Sequence, residues 1–317
     1  MEIIRLRKVP GFDYREWTKT PRYAKEEDAS IFRTSGDAGI QVRDADTDEH
    51  VITFRPFTEL PFAPLLEAVK RLRYQENYRT EGLKSRSCTF GFQPRIPLRR
   101  DYCSVAASAY NQPDQHKVLI QYGRETARIF ERLLPELYGY QQSMLEGVKP
   151  EWREPNTHFT SGIANDRNVL HYHRDAGNFP GALSTMLSLT RDMGSAGGKL
   201  IVPEYDIGIE FTGFELAIFN GAALVHGVTP LKLHAAQAFR YTVVYYALQA
   251  MCRCGTKNEE LTRIKKVKTV REAQRTKANE AVFRAKMLEA TGLSEEEVKR
   301  NGERHVHFER RKRKVPK

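Results

Sequence analysis

The stretch "VLHYHRDAGNFPGALSTMLSL", residues 169–189, sets two short apolar, β-rich runs on either side of a Gly/Asn/Pro break. A strand turns successive side chains to opposite faces, so the first run places His171, His173 and Asp175 on one side. Imidazoles and a carboxylate gathered on one face are metal-binding chemistry. The question for the rest of the chain is whether it supplies the other parts of such a site.

Working outward, the runs "THFTSGIAN", "GKLIVPEY", "IGIEFTG", "ELAIFNGAALVHGV" and "FRYTVVYYAL" repeat the same texture from Thr157 onward. Many short strands separated by Gly, Asn and Pro predict an all-β barrel or sandwich. Upstream, "GIQVRD" and "HVITFRPF" read as strands, and residues 61–76 carry helical spacing behind Pro61. Residues 84–103, "KSRSCTFGFQPRIPLRRDYC", read as an arginine-rich loop, and 114–145 as two helices broken near Pro135. The fold class is therefore α+β. Its expected divisions are N-terminal strands and a helix packing on the core (1–84), the β core with supporting helices (85–255), and a basic, helical to disordered tail (256–317).

Length and composition suit a soluble globular protein: 317 residues, 40% hydrophobic and 29% charged. No apolar run approaches membrane-helix length, and the charged start does not read as a signal peptide. Of the net charge of +11, +9 falls on residues 256–317, which hold 19 Lys and Arg against 10 Asp and Glu. That asymmetry points to a polyanion partner, nucleic acid first. Within the tail, "RRKRK" (310–314) suits DNA binding or nuclear import. Cys88, Cys103, Cys252 and Cys254 are too scattered for a disulfide framework, which favours a reducing, intracellular compartment. That would be a host cytoplasm for a phage or bacterial protein and the nucleus for a eukaryotic one. Zinc held by Cys252, Cys254, His305 and His307 would need unusually narrow ligand spacings. The glycines of "MGSAGGKL" are too closely spaced for a phosphate loop, so Gly197 and Gly198 are expected to open a strand.

Downstream, His226 ends the apolar run of "FNGAALVHGV", and Arg240 and Thr242 lie two apart in "FRYTVVYY". Two histidines and a carboxylate hold one face of Fe(II) and leave positions open for a chelating co-substrate and O2. An arginine in an otherwise apolar strand needs an anionic partner, and a guanidinium suits a carboxylate. The second carboxylate of 2-oxoglutarate would fit, reached by Arg240 and Thr242 from one strand face.

His173-x-Asp175, His226 and Arg240-x-Thr242 together resemble the jelly-roll (double-stranded β-helix) core of the Fe(II)/2-oxoglutarate dioxygenases. More narrowly, residues 85–255 resemble the TET/JBP branch, through "HYHRDAGNFPGALSTMLSL", the "GGKLIVPEY" segment and the Asn165 strand "SGIANDRN". The resemblance implies Fe(II) on His173, Asp175 and His226, with 2-oxoglutarate anchored by Arg240 and Thr242. It also implies hydroxylation of the 5-methyl group of 5-methylcytosine or thymine in DNA, with the base flipped out of the duplex. Candidate substrate or DNA contacts are Asn165, His171, Asn178, Arg86, Arg95, Arg99 and Arg100. The pattern does not require His171, and the cysteine-rich region of the animal members is absent. Other readings are a hydroxylase of a protein side chain or small molecule, and a non-catalytic nucleic-acid-binding protein on the same fold. The oligomeric state is left open.

Overall fold

A computed structural model describes residues 1–34, 38–78, 84–95, 101–191 and 196–273 of the protein. Arg99, Arg100, His305, His307 and the 310–314 cluster lie outside the described residues. The chain divides into two units. One comprises Met1–Pro94 with Ser104–Cys254, the other Arg95–Cys103 with Gly255–Lys317.

In the first unit, strands β1 (Glu2–Leu6), β2 (Ser30–Phe32), β3 (Ile40–Asp44) and β4 (His50–Pro56) precede the helices. Helix α1 (Tyr14–Lys19) lies between β1 and β2, and α2 (Phe62–Arg71) follows β4. Next come β5 (Gln75–Tyr78), β6 (Lys84–Gln93) and β7 (Ser104–Val105), then α3 (Ser108–Asn111), α4 (Pro113–Leu133) and α5 (Pro135–Leu145). The expected break at Pro135 is real: a proline opens both α4 and α5, where a missing N–H costs nothing.

The expected arginine-rich loop at 84–103 is a ten-residue strand over its first half. β6 pairs with β8 along Ser87–Gly91 and buries Cys88 and Phe90. The alternation of Cys88, Phe90 and Phe92 carried that strand signal, which the arginines and Pro94 masked.

Eight strands follow: β8 (Ser161–Asp166), β9 (Leu170–His173), β10 (Ser184–Arg191), β11 (Leu200–Val202), β12 (Ile207–Ile209), β13 (Phe214–Phe219), β14 (His226–Val228) and β15 (Phe239–Tyr246). They sort into one block ordered β13-β10-β15-β8 and another ordered β12-β11-β14-β9. The chain crosses between the blocks at every step except β11–β12, which pair with each other. That is the winding of a jelly roll. β4, β3 and β1 extend the first sheet beyond β13, while β6 and β5 extend it beyond β8. β2 extends the second sheet beyond β12.

The two larger apolar cores lie on either face of the larger sheet. Between the sheets lie Met186, Leu200, Ile207, Ala217, Phe219, Leu224 and Val228, with Val244 packed against them. Behind the larger sheet, Leu187, Val243 and Tyr245 meet Leu65 of α2 and Leu119 and Phe130 of α4. The Tyr245 hydroxyl donates to the Leu119 carbonyl at 2.8 Å, tying β15 to α4. Truncating Phe130 or Tyr245 would cost about 3–5 kcal/mol. The two faces of β15 are thereby assigned: Tyr241, Val243 and Tyr245 face the helices, and Arg240, Thr242 and Val244 face the interior.

In the second unit, α6 (Lys257–Ala273) bears out the predicted helix after Cys254 over those residues. Its Glu260 is buried and accepts from the Cys103 and Gly255 N–H groups at 2.8 and 2.7 Å. Arg263 binds the Asp101 carboxylate at 2.6 Å. Cys88 and Cys252 are free thiols, whereas Cys103 and Cys254 are each disulfide-bonded. A disulfide sulfur cannot serve as a zinc thiolate, so the four-ligand zinc reading loses Cys254. No helix among the described residues is long and apolar enough to cross a membrane.

Candidate metal and co-substrate site

β9 ends at His173, two residues before Asp175, and β14 begins at His226. The two histidines are direct cross-strand partners, with ring centroids 4.3 Å apart. Asp175 lies two residues beyond the strand, just before the turn at Ala176 and Gly177. Its backbone N–H donates to the Gly221 carbonyl at 2.8 Å, which brings its carboxylate back to the histidines. Asp175 Oδ1 stands 3.5 Å from His173 Nε2 and 3.8 Å from His226 Nε2. Ligand atoms of the three residues lie within 4.8 Å of one another, the one such group among the described residues.

Each imidazole is held by its own strand. His173 Nδ1 lies 2.8 Å from the His171 carbonyl, and His226 Nδ1 lies 3.0 Å from the Leu224 carbonyl. A carbonyl can only accept, so both Nδ1 atoms carry the hydrogen and both Nε2 lone pairs turn toward Asp175. Burial, and then the neighbouring His173, push the His226 imidazolium down to about 4, so this ring is neutral near pH 7. Two imidazole lone pairs converging on a carboxylate repel one another unless a cation sits among them. The donor set therefore fits a divalent metal such as Fe(II). Gly221 makes the space: a Cβ there would stand 2.3 Å from Asp175 Oδ2.

The second half of the site lies on β15. Arg240 is 4% exposed, and its Nε has no hydrogen-bond partner. Burial pulls its guanidinium down to about 10, which still leaves it cationic at neutral pH. A buried cation with an unpartnered N–H of this kind fits an anionic ligand group such as a carboxylate. Gly198, at φ 72°, closes over it: a Cβ there would meet Arg240 Cδ at 2.9 Å and Nε at 3.0 Å. Thr242 is buried two residues along on the same face.

The remaining candidates fall in several places. His171 is outside the metal group; its carbonyl orients His173, and its ring stands edge-on to Tyr23 with centroids 4.4 Å apart. Asn165 is buried and donates to Thr242 Oγ1 at 3.2 Å. Asn178 is buried, with its amide 3.3 Å from Ser184 Oγ. Arg86 pairs with Asp166 at 3.3 Å. Arg95, in the second unit, pairs with the buried Glu260. Sequence reading missed Gly198, Gly221 and Asn168, whose importance comes from contacts across strands rather than from spacing.

No family model matches the sequence, and no curated protein is similar to it in sequence. Among solved structures the chain is similar to NgTET1 in complex with 5mC DNA, at 14% identity and a TM-score of 0.51, over 75% of this chain and 90% of that one. A 2OG-Fe(II) oxygenase family protein from Burkholderia pseudomallei matches at 12% identity and a TM-score of 0.40, over 78% and 95%. OsALKBH1 matches at 11% identity and a TM-score of 0.38, over 62% and 96%. At such identities the likeness is one of fold, shared with NgTET1 over three quarters of this chain.

Proposed function

We propose that this protein is an Fe(II)- and 2-oxoglutarate-dependent dioxygenase that hydroxylates the 5-methyl group of a pyrimidine, 5-methylcytosine or thymine, in DNA. The observation that carries the reading is the pairing of two incomplete sites in one jelly roll. One is a His-Asp-His donor set suited to a metal, the other a buried arginine whose Nε has no hydrogen-bond partner among the described residues. When bound, Fe(II) with 2-oxoglutarate and O2 supplies the oxidising power that an inert methyl C–H bond requires.

His173, Asp175 and His226 would hold the metal, and Arg240 with Thr242 would hold the far carboxylate of 2-oxoglutarate. The backbone carbonyls of His171 and Leu224 keep the Nε2 lone pairs available, so the ligands need little reorganisation on loading. Substrate reaches the site from the side of His173 and Asp175, whose side chains are 22% and 30% exposed, against 6% for His226. A methyl group inside a duplex cannot approach ligands set in β9 and β14, so the base must be flipped out. DNA as substrate is supported by the fold shared with NgTET1, solved with DNA, and by the net charge of +11.

The test is incubation with Fe(II), 2-oxoglutarate, O2 and DNA containing both thymine and 5-methylcytosine, followed by mass spectrometry of the nucleosides. A nucleoside with one added oxygen, absent with His173→Ala, is the expected result and names the base. Succinate formed without that product would move the substrate to a peptide or small molecule. Absence of both the oxidised nucleoside and succinate would overturn the reading.

A further inference from the structure

A line of buried amides runs from β6 to Thr242, and its direction is fixed at one end. The Arg86 backbone N–H donates to Asn168 Oδ1 at 2.8 Å. Because a backbone N–H only donates, the oxygen of Asn168 must face it and the amide NH2 must face away. That NH2 donates to Asn165 Oδ1 at 2.8 Å, which turns the Asn165 NH2 toward Thr242 Oγ1 at 3.2 Å. Asn165, Asn168 and Thr242 are 7%, 5% and 6% exposed, so water is largely kept from breaking the sequence. Thr242 Oγ1 is thereby an acceptor from Asn165, and its own O–H is left to donate elsewhere. Arg240, two residues away on the same face, can only donate. The pair therefore offers a free O–H donor beside one positive charge, with one lone pair of Thr242 already occupied by Asn165.

We infer that Asn168 and Asn165 are positioning residues, an amide relay that sets Thr242 as a hydrogen-bond donor beside Arg240 and so selects a 2-oxo acid bearing a second carboxylate. The inference rests on the reading of Arg240 and Thr242 as the co-substrate anchor. It adds two residues that touch neither metal nor co-substrate, and gives Asn165 a place behind Thr242 rather than against DNA. Asn168→Asp tests it at nearly constant size. An aspartate still accepts from the Arg86 N–H but cannot donate to Asn165. Asn165 then turns its oxygen toward Thr242, and the threonine hydroxyl is spent on it.

The experiment uses the full-length protein loaded with Fe(II) under nitrogen and titrated calorimetrically with 2-oxoglutarate and with 2-oxobutyrate, which has the same keto-acid end and no far carboxylate. Asn168→Asp should weaken 2-oxoglutarate about 10- to 100-fold, the loss of one hydrogen bond to a charged group, and leave 2-oxobutyrate unchanged. Unchanged 2-oxobutyrate binding also reports an intact fold and metal site. Thr242→Ser should keep the wild-type preference. The negative charge that Asn168→Asp introduces is separated by a cycle with Thr242→Val: a relay acting through Thr242 makes the Asn168→Asp effect vanish in that background, whereas simple repulsion leaves it undiminished. An undiminished effect, or equal weakening of both acids, overturns the relay while the anchor stands. Wild-type protein that binds the two acids alike, unaffected by Arg240→Met, overturns the anchor and the relay with it.

Discussion

The metal half and the co-substrate half of this site are oriented by opposite kinds of contact. Each histidine is held by the carbonyl two residues before it in the chain, His173 by His171 and His226 by Leu224. Thr242 is held by Asn165, 77 positions away, and that asparagine by Asn168, whose own anchor, the Arg86 N–H, is 82 positions from it. A local contact makes the ligand geometry a property of a short peptide in extended conformation. A distant one makes the donor geometry a property of the assembled sheet, in which β6, β8 and β15 must first pair. The metal half should therefore break by local steric insult, and the co-substrate half by loss of charge or amide order with the metal half left intact.

The largest effect is expected from Gly221→Ala. The new methyl would stand 2.3 Å from Asp175 Oδ2 and 3.4 Å from His226 Cε1, so the carboxylate must leave the place where both Nε2 atoms meet it. Fe(II) affinity and turnover should both be lost while the melting temperature stays near that of the wild type. Metal titration by calorimetry measures this directly, and an unchanged affinity would remove Asp175 from the ligand set. Arg240→Met comes next and acts in two directions. Without a ligand the guanidinium is buried with its Nε unpartnered among the described residues, so an apolar side chain of similar volume should stabilise the metal-free protein by about 1–4 kcal/mol. The same change should abolish the preference for 2-oxoglutarate over 2-oxobutyrate and leave Fe(II) binding alone. Chemical denaturation of the ligand-free variant provides the first number. A destabilised variant would mean that Arg240 has a structural partner.

The same contrast explains what could be read from the chain before folding. His173, Asp175, His226 and Arg240 announce themselves because strand periodicity puts chemically matched side chains at fixed spacings. Seven apolar runs, with the Gly, Asn and Pro between them, marked the jelly roll's eight strands; "ELAIFNGAALVHGV" holds two of them, β13 and β14, and His226 opens the second rather than ending the first. Asn168 and Gly221 carry no such signal: one matters because β6 passes beside it, the other because Asp175 folds back onto it. β6 was hidden because Arg86 and the arginines that follow the strand suggested a loop, although every second residue from Cys88 is apolar. The position of Asp175 was misjudged in detail. Alternation predicted a third strand residue, and the chain instead leaves the strand at His173.

The smallest effect separates the fold's own response to acid from that of either half of the site. His158 is fully buried behind the larger sheet, edge-on to Phe130 and within 3.3 Å of Thr185 Oγ1. Burial pushes its imidazolium down to about 3, against about 6.5 in the unfolded chain. A lowered histidine pKa means that the unfolded state takes up a proton that the folded state refuses. Stability is therefore unaffected above about pH 6.5, and this residue alone removes about 1.4 kcal/mol for each unit the pH falls below that, until about pH 3. His158→Phe should flatten the dependence of unfolding free energy on pH between 6 and 4 by that slope, while the 2-oxoglutarate preference at pH 7 stays as in the wild type. Denaturant unfolding at several pH values reads the slope. A slope that survives the substitution would place the acid-sensitive group elsewhere, with His50, also pushed down to about 3 by burial, the next to replace.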